Sequence, residues 1–248
     1  MVKAGLYKIR RSLNRFYAGL GAGSKAGGIA ITFDDAYVEE WYSIKGLLNQ
    51  YGAKVTFFVS HFDRLTEDSV EKLRILRDEG HEIGFHGLRH LNAVTFVKEH
   101  SVDKYLASEI LPGIEAMACA GFHPVNFSYP YGAHTKYLDD ELFKHFNYVR
   151  GTIFTNEKER IPDLDYTFYK HGDEKIIYGA GIDNAYNNSV EEIQKGLNRA
   201  NEKNEILILY AHKTSDEMGD YCVPTAKLEG ILKYASENRS GFYRINDL

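Results

Sequence analysis

A chain of 248 residues, 44% apolar and 13% aromatic, can bury a substantial core as one large domain, the size at which α/β barrels commonly remain undivided. A net charge of −5 argues against nucleic acid as the main partner, and no apolar run approaches the ~18 residues of a membrane span. Cys119 and Cys222 form no CxxC pair and read as two buried or free thiols. Eighteen tyrosines suit a polar ligand such as a carbohydrate, and they serve equally as barrel filler.

Residues 1–28 carry six basic side chains and no acidic one, which fits either a poor export signal or a basic surface segment leading into the first strand. The expected domain is therefore 29–248. Ile29 to Phe33 is an apolar, β-branched and aromatic run that ends in Asp34 and Asp35. A helical spacing follows over 36–51, with Val38, Trp41, Ile44, Leu47, Leu48 and Tyr51, stopping near Gly52. Lys54–Val59 reads as a buried strand. Thr66 can cap a helix bearing Val70, Leu73 and Leu76, and His81–Phe85 is a third strand. Ser101 opens a helix that Pro112 should kink or divide. Val125–Tyr129 is a fourth strand, then a helix with Leu138, Leu142, Phe143 and Phe146 leads to a short strand at Tyr148-Val149. The polar stretch 155–174 reads as a long loop.

Lys175–Ile182 is a further strand, and Ser189 with Glu192 makes a capping box for the next helix. Ile206–Tyr210 is the most apolar strand, expected to be buried on both faces. A last helix with Leu228, Ile231, Leu232 and Ala235 precedes a closing strand, Phe242–Ile245. Strand and helix alternate throughout, so the fold class is α/β: parallel strands with helices outside, about seven or eight strands in a distorted or incomplete (β/α) barrel.

The chemistry collects just past the strand ends. Neighbouring side chains on a strand point to opposite faces, so Asp34 and Asp35 can share a site only where the backbone turns. Two adjacent carboxylates also repel unless something positive lies between them. His86 and His90 are spaced i, i+4, so one helical turn would bring both imidazoles to the same side; the same spacing can arise by chance in a chain with ten histidines. Two imidazoles and a carboxylate make a three-ligand site for Zn²⁺ or a similar divalent ion (Co²⁺, Ni²⁺ or Fe²⁺), with positions left open for water. The second carboxylate is then a natural base and His212, past the most apolar strand, an acid. These parts describe metal-assisted hydrolysis of an amide or ester.

Thr32-Phe33-Asp34-Asp35, His86-Gly87-Leu88-Arg89-His90, Tyr129-Pro130-Tyr131-Gly132 and Leu207 to His212 resemble, in order, the motifs of the polysaccharide deacetylases, carbohydrate esterase family four. The resemblance spans roughly residues 29–212. It implies a distorted (β/α) barrel that removes N-acetyl groups from a glycan, with Asp34 as base, Asp35, His86 and His90 as metal ligands and His212 as general acid. The Tyr131 backbone N–H is the implied oxyanion donor.

Two features depart from the family pattern. An arginine that orients the base is replaced by Ser128, and Arg150 is either its substitute or a surface arginine. The Asp- and Trp-containing fourth motif is not visible, since the single tryptophan is Trp41; Asp183 is either a turn residue or the support of His212. Two other functions compete. One is a hydrolase of a small cyclic amide or imide on the same fold, which a closed pocket would favour. The other is a non-catalytic glycan-binding relative, which the filled base, ligand and acid positions disfavour.

Overall fold

The computed structural model describes residues 26–153, 160–217 and 219–248. Most of the basic N-terminal segment, 1–25, and residues 155–159 of the expected loop lie outside the described residues.

Eleven strands are described: β1 Gly28–Asp35, β2 Thr56–Val59, β3 Glu82–Phe85, β4 Asn126–Ser128, β5 Tyr148–Ile153, β6 Phe168–Tyr169, β7 Ile176–Gly181, β8 Ile206–Ala211, β9 Lys213–Thr214, β10 Cys222–Val223 and β11 Gly241–Phe242. Strands β1, β2, β3, β4, β5, β7 and β8 pair in that order, all parallel, and β8 returns to β1 over six residue pairs from Gly28↔Ile206 to Phe33↔Ala211. The barrel is thus closed, with seven parallel strands. The expected alternation is observed, with β1, β2, β3, β4 and β8 buried on both faces along nearly all of their length.

The closure is uneven. β3 and β4 share only the Phe85↔Phe127 pair. β8 pairs with β7 only near its C-terminal end, and its N-terminal end takes the antiparallel β6 instead. That strand falls inside the stretch expected to be loop. Phe168 is fully buried with the Arg199 guanidinium 3.8 Å over its ring, and with buried Ile161 and Leu164 it anchors an otherwise polar segment.

Alternation along β1 divides the core in two. Ile29, Ile31 and Phe33 face outward into the layer between barrel and helices, while Ala30 faces inward with Phe58, Ile177, Ile206 and Ile208. By the same period Thr32 and Asp34 belong to the inward set. Helices start where expected: Thr66, Ser101 and Ser189 each accept a hydrogen bond from the backbone N–H three residues on. The 36–51 helix breaks at Ile44 into Val38–Ser43 and Lys45–Gln50. Pro112 does divide its helix, at the start of Leu111–Cys119 and directly after a π-helical turn, Leu106–Ile110.

The closing strand is shorter than the sequence suggests. It ends at Phe242, and the chain turns through Ile245–Asp247 across the barrel floor. The cause is a set of inward polar groups: Thr56 Oγ1 accepts the Ile245 N–H at 2.9 Å and Glu82 Oε2 accepts the Asn246 N–H at 2.9 Å. Glu82 is buried, which raises its carboxyl pKa, and it also takes hydrogen bonds from Thr56 and Asn126. The floor is therefore sealed by the C-terminus, leaving the opposite end of the barrel open.

Candidate active site

Asp34 and Asp35 diverge as the alternation rule requires. Asp34 remains in the strand, 3% exposed and directed into the barrel. Asp35 takes a left-handed backbone conformation, φ 86°, so its side chain swings to the histidine loop instead of the outer layer.

His86 follows β3 and is also nearly fully buried. Its Nδ1–H donates to the Ser128 carbonyl at 2.8 Å, and since a carbonyl can only accept, Nε2 carries the lone pair. His90 Nε2 lies 3.2 Å from Asp35 Oδ1 and 3.2 Å from His86 Nε2, and His86 Nε2 lies 3.6 Å from Asp35 Oδ1. The ligand atoms of Asp35, His86 and His90 all fall within 4.8 Å of one another.

The loop that brings the histidines together is not helical, contrary to the i, i+4 expectation. Gly87 and His90 have positive φ, 86° and 56°, and the Glu109 carboxylate accepts the backbone N–H groups of Arg89 and Leu91. These bonds replace the ones a helical turn would have made. The two imidazoles converge, but a strained loop rather than a helix face sets them.

Burial lowers the His86 pKa from 6.5 to about 4, so the ring is neutral at pH 7. Burial opposes ionisation of Asp35, but the hydrogen bond from His90 and the nearby histidines outweigh it and bring the carboxyl from 3.8 to about 2. A neutral imidazole with a fixed lone pair beside an ionised carboxylate is the protonation state a divalent cation needs. The donor set fits such an ion.

Arg150 is fully buried and so is not a surface arginine. Ser128 and Arg150 are register partners on β4 and β5. The Arg150 Nη2 donates to both Asp34 Oδ2 and Ser128 Oγ, while the guanidinium lies 4.9 Å from the Tyr210 ring centroid. An arginine one strand over thus reaches the base position across a small serine. Asp34 Oδ1 is buried and has no hydrogen-bond partner among the described residues.

His212 follows β8. Its Nδ1 lies 2.6 Å from Asp183 Oδ2 and its backbone N–H donates to Asp183 Oδ1 at 3.2 Å, so the side chain of the fully buried Asp183 is its partner, while the Asp183 carbonyl accepts the Tyr186 N–H at 3.1 Å and opens the turn Asn184–Tyr186. Burial disfavours the imidazolium, yet the hydrogen bond from His212 to Asp183 and the charge of Asp34 outweigh it, and the His212 pKa is raised above 6.5. The Trp41 indole donates to the His212 carbonyl at 2.8 Å, which gives the single tryptophan a place under the site.

Asp34, Asp35, His86, His90 and His212 line one cleft of about 280 Å³, together with Tyr37, Tyr186 and Tyr210. Tyr131 and Tyr221 stand at its rim, 61% and 57% exposed. Tyr131 has φ 62° and its ring meets His90 edge-on at 4.8 Å. Three site residues, Asp35, His90 and Tyr131, therefore hold left-handed backbone that ordinary side chains avoid, the kind of strain that functional sites store. The sequence reading missed Glu109, although a charged residue on the buried stripe Val102, Tyr105, Gly113 and Met117 was a visible signal.

The family model for polysaccharide deacetylases matches residues 22–148, which include Asp34, Asp35, His86, His90 and Tyr131. Peptidoglycan-N-acetylglucosamine deacetylase of Bacillus cereus is 36% identical over 118 residues, 47% of this chain and 50% of that protein. A gellan lyase of a Bacillus species is 32% identical over 136 residues, 54% of this chain and 5% of that protein. The matched stretch is thus half or less of either curated relative. Among solved structures, a CE4 esterase of Streptococcus mutans superposes with a TM-score of 0.59 at 16% identity, over 89% of this chain and 87% of that one, a likeness of fold.

The buried pair makes a stability prediction. Replacing Arg150 with Met removes one partner of a buried ion pair and should cost about 3–5 kcal/mol. For a chain of this size thermal unfolding should fall by ~2–4 °C per kcal/mol. A melting temperature within ~2 °C of wild type would show the pair to be dispensable.

Proposed function

Because the chain belongs to the polysaccharide deacetylase family, we propose that it is a metal-dependent hydrolase that removes N-acetyl groups from a glycan. The observation that carries this reading is the convergence of Asp35, His86 and His90 within 4.8 Å, beside Asp34 and His212 in one cleft. Asp35, His86 and His90 would hold a divalent cation, Zn²⁺ first among those that suit this donor set. Such an ion would polarise the amide carbonyl and acidify a nearby water.

The chain's own residues supply the proton steps. Asp34 takes a proton from the attacking water at Oδ1, the oxygen that Arg150 leaves unengaged. Arg150 keeps the other oxygen still. Water oxygen bonds to the amide carbon, and the charge that develops on the carbonyl oxygen is met by the Tyr131 backbone N–H. His212, charged and oriented by Asp183, gives its proton to the departing nitrogen as the C–N bond breaks. The products are acetate and a free amine on the sugar.

An open cleft with exposed tyrosines at its rim suits a sugar chain better than a small cyclic amide, which calls for an enclosed pocket. The non-catalytic alternative is disfavoured because Asp34 and His212, the proposed base and acid, are both present in the same cleft.

Incubation with N-acetylglucosamine oligomers, with and without a chelator, tests the activity. Acetate that appears with the metal and stops with the chelator is the expected result; release that survives full removal of metal would refute metal dependence.

The acid assignment predicts a pH dependence. His212 must be protonated to act, and Asp183 raises its pKa, so activity should be present below that pKa and be lost as pH rises through it. Asp183→Asn removes the raising partner, and the alkaline limb of the kcat profile should move to lower pH. An unmoved limb would detach His212 from the proton step.

A further inference from the structure

Behind the histidine loop lies a carboxylate that the proposed chemistry does not use. Glu109 is 0% exposed and belongs to the π-helical turn Leu106–Ile110. Its Oε1 accepts the Arg89 N–H at 3.0 Å and the Leu91 N–H at 3.1 Å, while Oε2 accepts the Arg89 N–H at 3.1 Å and the Arg89 Nε–H at 3.4 Å. A carboxylate in an apolar layer is expensive, and a well-packed apolar side chain would be the cheaper solution for stability alone. Its place therefore calls for another reason.

The geometry supplies one. Arg89 and Leu91 bracket His90, so the carboxylate grips the peptide that follows His90 and the one that precedes Arg89. His90 is held at φ 56°, a conformation that costs free energy unless its neighbours over-determine it. A Cβ on Gly87 would stand 2.7 Å from Glu109 Oε1, so the loop is closely fitted to the carboxylate. The π-helical turn that carries Glu109 is a rare element that tends to occur where function requires it.

We propose that Glu109 is a positioning residue for the metal centre: through the Arg89 and Leu91 N–H groups it fixes the direction of the His90 imidazole, and so sets affinity and coordination geometry for a divalent cation. This rests on the metal-site reading above. It adds a ligand-orienting residue that acts on His90 through the neighbouring backbone N–H groups.

The test is a titration of metal-free wild type, Glu109→Gln, Glu109→Asp and Tyr105→Phe with Co²⁺ against a competing chelator. It is read by dissociation constant and by the visible cobalt bands, with the melting temperature of each metal-free protein recorded. Loss of an outer partner of a ligand typically weakens metal binding 10–100-fold, so Glu109→Gln should weaken Co²⁺ by about that factor and shift the bands. Glu109→Asp keeps the charge with a shorter reach and should recover part of the affinity. Tyr105 packs in the same layer, and its hydroxyl has no partner among the described residues. Tyr105→Phe should therefore bind as wild type does.

Equal affinities for wild type and Glu109→Gln would overturn the proposal, as would equal weakening by Tyr105→Phe, which would mean general loosening. Should Glu109→Gln fail to fold, Glu109→Asp carries the test, and wild-type affinity with unshifted bands would overturn it. Wild type that binds no Co²⁺ would overturn the metal-site reading as well, whereas unequal outcomes among the variants bear on Glu109 alone.

Discussion

Asp34 and Asp35 are neighbours on one strand and cannot point the same way, and the arrangement of the open end of the barrel follows from that constraint. Alternation sends Asp34 into the barrel interior, and a left-handed turn at Asp35 sends the next carboxylate to the histidines. The same two residues thus face two environments, one beside an arginine and one beside imidazoles. Like charges that would repel are separated by what each of them meets.

Each environment is prepared by a different part of the chain. Inside the barrel, Arg150 extends across Ser128 to Asp34 and packs against the Tyr210 ring, so a buried guanidinium is both paired and covered. On the outer side, the Ser128 carbonyl fixes the tautomer of His86, and Glu109 shapes the loop that carries His90. Ser128 serves both sides, through its hydroxyl inward and its carbonyl toward His86. The opposite end of the barrel carries its own polar set, with Glu82 and Thr56 catching the turn at the C-terminus, which seals the floor and leaves one mouth for ligands.

The fold was readable because its signal is redundant. The long strands are apolar runs, the helices carry apolar spacings, and Thr66, Ser101 and Ser189 cap where their residue types say they should. The elements that escaped depend on contacts distant in sequence. β6 forms because Phe168 finds β8 and Arg199, and the closing strand stops at Phe242 because Glu82 and Thr56 capture the residues beyond it. The site divides in the same manner. Asp34, Asp35, His86, His90 and His212 announce themselves by residue type at strand ends. Arg150 and Asp183 remained open alternatives, since nothing local separates a buried arginine on β5 from a surface one, or shows that a turn aspartate also meets His212. The helical turn expected between His86 and His90 failed because a tertiary carboxylate, Glu109, outweighed local spacing.

The central claim is that the paired aspartates divide the labour, one holding metal and the other moving a proton. Metal content of Asp34→Asn and Asp35→Asn, measured by elemental analysis beside acetate turnover, tests it most directly. The account predicts that Asp34→Asn keeps one equivalent of metal with turnover abolished, and that Asp35→Asn loses the metal itself. Metal lost from Asp34→Asn and retained by Asp35→Asn, or near-normal turnover in Asp34→Asn, would contradict it.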